Sequence, residues 1–358
     1  MARALKLAER GYYSAKPNPR VGCVLVKNDG IIGEGFHYRA GEPHAEINAL
    51  RDAGDATGST AYVTLEPCCH HGRTPPCADA LIEARVARVV YAVSDPNPRV
   101  DGGGAARLIN AGIEASGGVM AKAAEQLNRG FFHRMRTSRP FVTVKLGMSV
   151  DARVALASGA SQWITGPQAR ADVQRLRAAA CAIVTGRGTV VADEPLLTVR
   201  DERFDIAGIQ PMRVVLDSQL RADPSLKLFD APGDVIVYTV SSHEAEHARF
   251  TAVGAEVETI MPGTGGMDLA VILERLAGRN ANNVLVEAGP TLAGAFIGQG
   301  LADEIITYVA PNIIGDDARS AFALPAPDNL DSVRRFRFSE MRKLGDDIRL
   351  TLMPHDGR

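Results

Sequence analysis

The feature that most constrains this chain is a set of soft ligands laid out between His44 and Cys77. His44-Ala45-Glu46 is followed, about twenty residues on, by Pro67-Cys68-Cys69-His70-His71-Gly72-Arg73-Thr74-Pro75-Pro76-Cys77. One histidine and two spaced cysteines can give Zn²⁺ three protein ligands and leave the fourth position to water. A glutamate two residues from the histidine can carry protons to and from that water. A closed structural site would instead need a fourth ligand, for which Cys69, His70 and His71 are candidates. Glu46 at this spacing, and the lack of a compact C-x-x-C pair, favour catalysis.

The 358 residues are long for one domain and suit two of roughly 100–200 residues each. A composition 46% hydrophobic and 23% charged is that of a globular protein with sizeable cores. No apolar run reaches the ~18 residues of a membrane-spanning helix. The amphipathic start, Met1–Arg10, lacks the apolar centre of a signal peptide. A cytoplasmic enzyme without membrane association is expected. Five cysteines, two of them adjacent, suit a metal in a reducing compartment better than a disulfide framework. Cys23 and Cys181, each in an apolar run, read as small buried hydrophobes. Lys and Arg number 18 against 14 Asp and Glu in residues 1–140, and 22 against 28 in 141–358. Neither half has the basic footprint of a nucleic-acid binder, which points to a free small molecule as substrate.

Along the first half, residues 3–10 read as a helix ended by Gly11. Pro17-Asn18-Pro19-Arg20-Val21-Gly22 is a rigid turn into a strand over 21–26. Asn18, held between two prolines, is either turn chemistry or a fixed amide that reads the edge of a heterocycle. Asn28-Asp29-Gly30 predicts a hairpin into 31–36. Glu42-Pro43-His44 opens a helix over 45–53, whose free N–H groups and positive dipole end would face the metal site. A strand over 60–65 delivers Cys68, and Cys77 begins another helix, so both cysteines lie beyond strand ends, where α/β sheets hold ligands. A strand over 89–93 runs into a polar, glycine-rich loop, Ser94–Gly104, able to close over the same pocket. A long helix over about 119–134 and a linker over 134–140 are expected before Pro140 opens a new strand. The domains are therefore placed at 1–139 and 140–358.

The second half restarts the β/α alternation. Strands are expected over 182–185, 213–217, 235–239, 284–287 and 305–309, with helices over 167–179, 243–253, 268–278 and 291–298. An alternating strand over 348–352 suits an antiparallel edge. This predicts a mainly parallel sheet with helices on both faces. Three strand-end stretches could meet a nucleotide cofactor. Trp163, the only tryptophan, lies in a polar loop and either anchors that loop or packs on a flat cofactor. Thr185–Pro195 is glycine-rich after a strand, and Glu287-Ala288-Gly289-Pro290-Thr291-Leu292 turns from a strand into a helix start. No G-x-G-x-x-G fingerprint is present, so a standard dinucleotide fold is not expected.

Histidine-x-glutamate with a following Pro-Cys and a second cysteine is the signature of zinc deaminases of amino-pyrimidines and amino-purines. Eight residues separate Cys68 from Cys77, where cytidine-type and nucleic-acid-editing deaminases carry C-x-x-C. The run Pro67-Cys68-x-His70-x-Gly72-x-Thr74-Pro75-Pro76-Cys77, with Asn18-Pro19-x-Val21-Gly22 before it and Asp95-Pro96-Asn97-Pro98 after it, resembles the deaminase half of the bifunctional riboflavin-biosynthesis deaminase/reductases, the RibD family. Lys145-Leu146-Gly147-x-Ser149-x-Asp151, Ser161-Gln162-Trp163-Ile164-Thr165, Ala192-Asp193-x-Pro195-x-Leu197-Thr198-Val199-Arg200 and Val286-Glu287-Ala288-Gly289-Pro290 resemble its reductase half.

The resemblance spans essentially the whole chain. It implies a cytidine-deaminase-like αβα sandwich followed by a dihydrofolate-reductase-like α/β domain. His44, Cys68 and Cys77 would ligate Zn²⁺, with Glu46 as acid/base, and Asn18, His37, Arg73, Asp95 and Asn97 would line the pyrimidine and phosphoribosyl pocket. In the reductase half, Gly147, Trp163, Thr189, Asp193, Ser218, Gly289, Pro290, Thr291 and Leu292 would contact NADPH. Ser161, Arg177, Leu197, Arg200 and Glu287 would hold the substrate, with Lys145 near the sugar. Arg177 and Arg200 are then candidates to grip its phosphate, and either Glu287 or Lys145 would handle protons. A phosphoribosylaminopyrimidine substrate and a homo-oligomeric state are implied. The chain departs from the family at Ala152, where glycine is common. The rival readings are a tRNA or mononucleotide deaminase with an unrelated C-terminal domain, and a non-enzymatic structural-zinc module.

Overall fold

The computed structural model describes residues 1–70, 75–98, 100–263 and 266–355. The chain divides into two compact units, Met1–Ser138 with Asp205–Ala207, and Arg139–Phe204 with Gly208–Arg358. Among the described residues, no helix is long and apolar enough to cross a membrane.

The first unit is a sheet between two helical layers. Its strands are β1 (Gly22–Lys27), β2 (Gly30–Phe36), β3 (Thr60–Val63), β4 (Arg88–Tyr91) and β5 (Glu114–Gly117), in the order β2-β1-β3-β4-β5. β1 is antiparallel to β2 and β3, and β3, β4 and β5 are parallel. Asn28 and Asp29 both take positive φ, 50° and 59°, as a two-residue hairpin turn requires. The helices are α1 (Ala2–Glu9), α2 (Ala45–Ala53), α3 (Cys77–Glu83), α4 (Gly103–Asn110), α5 (Ala121–Leu127) and α6 (Arg129–Thr137). Strand alternation separates two cores. Cys23, Leu25, Ala61, Val63 and Val89 pack with α2, α3 and α4, while Val24 on the opposite face packs against Ala4 and Leu7 of α1.

The expected single helix over 119–134 is in fact two. It breaks at Asn128, whose backbone leaves the helical region at φ −114° and ψ 23°. Its buried side chain accepts from the Arg20 N–H (2.8 Å) and donates to the Arg20 carbonyl (2.9 Å). Nor is 134–140 all linker, since α6 continues to Thr137 and ends at Ser138 in left-handed backbone.

The second unit is built on β6 (Phe141–Ser149), β8 (Ala182–Gly186), β9 (Met212–Leu216), β10 (Val235–Thr239), β11 (Glu256–Thr259), β14 (Asn283–Glu287), β15 (Glu304–Ala310), β17 (Phe336–Leu344) and β18 (Asp347–Pro354). Short ribbons pair β7 (Arg153–Ala155) with β16 (Arg319–Ser320), and β12 (Pro262–Gly263) with β13 (Gly266–Met267). The large sheet runs β11-β10-β9-β8-β14-β6-β15-β18-β17, with all strands in one direction except β18, which pairs antiparallel with both β15 and β17. Of the helices α7 (Pro167–Ala179), α8 (Arg187–Asp193), α9 (Lys227–Asp230), α10 (Glu244–Thr251), α11 (Leu269–Gly278) and α12 (Pro290–Gly298), α11 and α12 cover one face through Ile272, Leu276 and Phe296. Val190 of α8, Leu228 and Phe229 of α9 and Phe250 of α10 cover the other. The expected antiparallel strand over 348–352 lies within β18. The exposed edge strand β17 is an addition that its mixed polar sequence does not announce. The glycine-rich stretch after β8 is helical rather than a loop, because Gly186 alone makes the turn and α8 starts at Arg187.

Candidate active sites

In the first unit, His44 is the N-cap residue of α2, and Glu46 sits in that helix's first turn. Two glycines let α2 lie directly on β2. A Cβ at Gly35 would come within 2.3 Å of the Ala45 carbonyl oxygen, so only glycine permits this approach. Cys68 follows β3, and Cys77 opens α3. The three ligand atoms converge within 4.8 Å of one another. His44 Nδ1 stands 3.1 Å from Cys77 Sγ and 3.7 Å from Cys68 Sγ. A tetrahedral zinc with ordinary Zn–N and Zn–S bonds separates nitrogen from sulfur by about 3.5 Å, so these spacings fit that ion. The Cys77 backbone N–H donates to Cys68 Sγ at 3.3 Å.

The electrostatics match that donor set. A hydrogen bond from Cys77, helped by His44, holds the Cys68 thiol low, while the same bond and burial push Cys77 up. The hydrogen bond with Cys68 raises His44. Burial pushes the Glu46 carboxyl up to about 7, against the pull of His44. A carboxyl so placed can both accept and return a proton near neutral pH.

Around this cluster the structure brings together four of the five pocket residues expected from the sequence. Asn18 Nδ2 lies 3.1 Å from His37 Nε2, and the His37 ring meets His44 edge to face with centroids 5.2 Å apart. His37 is buried and its pKa is lowered, chiefly by that burial. Asp95 is buried, which pushes its carboxyl up to about 6, and its Oδ1 accepts the Asn97 N–H at 2.9 Å. Arg73 and His71 lie outside the described residues. Two residues that sequence reasoning passed over hold these groups in place. Asn128 fixes the turn that presents Asn18, and Glu66, buried at the end of β3, binds the backbone of the Asp95 loop. The available signal for Glu66 was a charged residue directly between an apolar strand and Pro67-Cys68.

In the second unit, β9, β8, β14 and β6 are adjacent and parallel. Their carboxyl ends therefore meet on one side, where such sheets bind ligands. The expected cofactor residues collect there. Ser218 follows β9, and its carbonyl is held by Val240 N and Thr239 Oγ1. Thr189 of α8 accepts the Gly289 N–H at 3.1 Å, and Pro290, Thr291 and Leu292 form the first turn of α12. Gly147 of β6 faces Thr165, whose Cγ2 lies 3.3 Å from where a Cβ would stand. Ser161 Oγ donates to Asp193 Oδ1 at 2.9 Å. Trp163 does not anchor its loop in the core: it is 69% exposed, with the Arg170 guanidinium 4.6 Å from its ring centroid.

The expected substrate residues fall into two groups. Arg177 and Glu287 form a buried bidentate pair (2.6 and 3.0 Å), and Lys145 Nζ lies 3.9 Å from Glu287 Oε2. The third Arg177 nitrogen donates to the Thr198 carbonyl. The fork considered for phosphate is thus already taken by a carboxylate, and the exposed Arg200 is the cation of the pair that faces outward. Burial alone would raise Glu287, but Arg177 outweighs it and holds the carboxylate below its usual range. Burial lowers Lys145 against the opposing pull of Glu287. The Leu197 side chain is buried in the core with Ile183 and Val215, which leaves its backbone, in left-handed conformation, as the part able to meet a ligand.

Comparison with known proteins accounts for both units. Residues 1–93 match the cytidine and deoxycytidylate deaminase zinc-binding region, and residues 140–350 match the RibD C-terminal domain. The riboflavin biosynthesis protein RibD of Escherichia coli (strain K12) is 51% identical over 363 residues, covering 99% of this chain and 98% of its own. The structure of Acinetobacter baumannii RibD, form 2, superposes with a TM-score of 0.92 at 45% identity, covering 99% and 97% of the two chains. A diaminohydroxyphosphoribosylaminopyrimidine deaminase/5-amino-6-(5-phosphoribosylamino)uracil reductase from Thermotoga maritima follows at 0.86 and 32% identity, with the same coverage. Relatedness at this level along nearly the full length, with both halves matched in order, means that the chain belongs to the RibD family of bifunctional riboflavin-biosynthesis deaminase/reductases.

Proposed function

We propose that the first unit hydrolyses the 2-amino group of 2,5-diamino-6-(5-phosphoribosylamino)pyrimidin-4(3H)-one, and that the second reduces the deaminated product with NADPH. The observation that carries the first step is the convergence of His44, Cys68 and Cys77 beside a buried Glu46 carboxyl. These three side chains would hold zinc, which supplies hydroxide near neutral pH by lowering its water's pKa to about 7. Glu46 takes the proton released when water adds to the amino-bearing carbon and passes it to the departing amine. The nitrogen leaves as ammonia and the carbon becomes a carbonyl. Asn18 and His37 form one wall of the pocket and Asp95 with Asn97 another, which fixes the ring relative to Glu46.

In the second step, NADPH bound along Gly147, Trp163, Thr189, Asp193, Ser218 and Gly289–Leu292 would supply the hydride. That hydride would add to the anomeric carbon of the ring-opened imine, leaving the protein to deliver a proton to the nitrogen and so give a ribityl chain. Glu287, held anionic by Arg177, is a poor donor. Lys145, whose ammonium burial makes more acidic, is the better source of that proton. Ser161, Arg200 and the Leu197 backbone then face the ribosyl phosphate end of the substrate.

Feeding the diaminopyrimidine to the protein with and without NADPH, and weighing the products by mass spectrometry, tests both steps. Without NADPH, the deaminated pyrimidine and ammonia should accumulate; with it, the ribitylamino product should form. Glu46→Ala should retain about one zinc per chain yet release no ammonia, while reduction of supplied deaminated substrate continues. Loss of both activities in a folded variant would overturn the two-site reading.

A further inference from the structure

Glu66 lies between β3 and the Pro67-Cys68 stretch and is only 3% exposed, yet no step above uses it. Its carboxylate points at the backbone of one loop and of the helix start that follows it. Oε2 accepts the Asp95 N–H (3.3 Å) and the Gly102 N–H (3.1 Å), and Oε1 accepts the Ala105 N–H (3.0 Å). Asp95 and Gly102 are the two ends of the loop that carries Asn97, so a single oxygen closes it. Gly102 is also the N-cap position of α4 and has no side chain to serve the free N–H groups of that helix start. Glu66 supplies the missing cap from a different part of the chain, and a carboxylate there also meets the positive end of α4. The Glu66 backbone is tied in as well, its N–H donating to Val93 O at 3.0 Å. Gly104 packs so closely on the metal-ligand stretch that a Cβ would come within 1.9 Å of the Pro67 carbonyl oxygen.

We propose that Glu66 is a positioning residue of the deaminase, a clasp that holds Asp95 and the start of α4 at Gly102 and Ala105 together against the segment delivering Cys68. It touches neither substrate nor reacting atoms. It sets the distance between the loop that grips the substrate and the limb that holds the metal, and so acts on substrate affinity more than on the chemical step. The proposal rests on the reading that Asp95 and Asn97 line the substrate pocket.

Glu66→Gln tests it with nearly unchanged shape. An amide keeps one acceptor and turns a donor toward a backbone N–H, which opens one side of the clasp. Deaminase KM should rise about tenfold, as the loss of a charge-assisted bond implies, with kcat within about threefold. The full-length variant should keep its zinc and reduce supplied deaminated substrate at the unaltered rate. By hydrogen exchange, the Gly102 and Ala105 amides should lose protection. An unchanged KM, or loss of the metal at unchanged loop protection, overturns the proposal. If the variant fails to fold, the unaltered protein still decides, since rapid exchange of the Gly102 and Ala105 amides would show no clasp. Asp95→Asn and Asn97→Ala separate the two readings. If they leave KM unchanged, the pocket assignment fails; if they raise it while Glu66→Gln does not, the clasp alone fails.

Discussion

Ala152 turns the chain between β6 and β7 with φ at 57°, in left-handed backbone that glycine adopts freely and alanine does not. Its N–H donates to Ser149 O at 3.0 Å, which makes that conformation part of the turn. The sequence marks this residue as a departure from the family, and the structure explains why glycine is the easier occupant. Ala152→Gly should therefore raise the unfolding free energy by roughly 0.5–1 kcal/mol, after the larger entropy of an unfolded glycine is offset. Urea denaturation measures it, and a loss of stability would mean that the Cβ makes contacts worth more than the strain. The convergence of His44, Cys68 and Cys77 was legible, because their spacing dictates it. Arg177 was not. An arginine is an equally good partner for phosphate or carboxylate, and Glu287 lies 110 positions away in sequence.

Whole elements were legible where periodicity is strong. α2, α7 and the inner strands of the parallel sheet fall where apolar spacing puts them, whereas the short edge strand β11, half polar in Glu256 and Glu258, carries no such pattern. The helix expected over 119–134 failed for a physical reason. The apolar pattern continues through Asn128, but that side chain does better by leaving the helix to pair with both backbone groups of Arg20. A residue that competes for distant backbone carries no periodic signal. Asn128→Ala should cost roughly 2–3 kcal/mol, because it strips two buried backbone groups of those bonds. The same change should raise deaminase KM, since the Arg20 backbone holds the turn that presents Asn18. Equilibrium unfolding and steady-state kinetics on one preparation test both effects. A stability loss with KM unchanged would separate the turn from the pocket.

At the scale of the whole molecule, two domains and their order were legible because the β/α alternation stops and restarts. The interactions that join distant parts of the second unit were not. Asp172 of α7 accepts from Tyr308 Oη of β15 (2.7 Å) and Arg349 of β18 (2.8 Å), with Arg175 alongside (2.7 Å), and Arg349 also meets Glu340 of β17. One carboxylate thus ties the antiparallel edge strands to α7. Burial would raise Asp172, but the hydrogen bonds from Arg175, Arg349 and Tyr308 bring it down to about 2. An unfolded aspartate returns to about 3.9, so unfolding takes up a proton between those values. The stability from this group is complete above about pH 4 and is lost as pH falls toward 2. After discounting for solvent screening it amounts to roughly 1–2 kcal/mol. Asp172→Asn should therefore be less stable than the unaltered protein at neutral pH, with the gap closing between about pH 4 and 2. Hydrogen exchange of the α7 and β18 segments, followed across that range in both proteins, reads the second unit by itself. A gap that stays constant with pH would show that Asp172 holds these strands by shape and neutral hydrogen bonding, not by its charge.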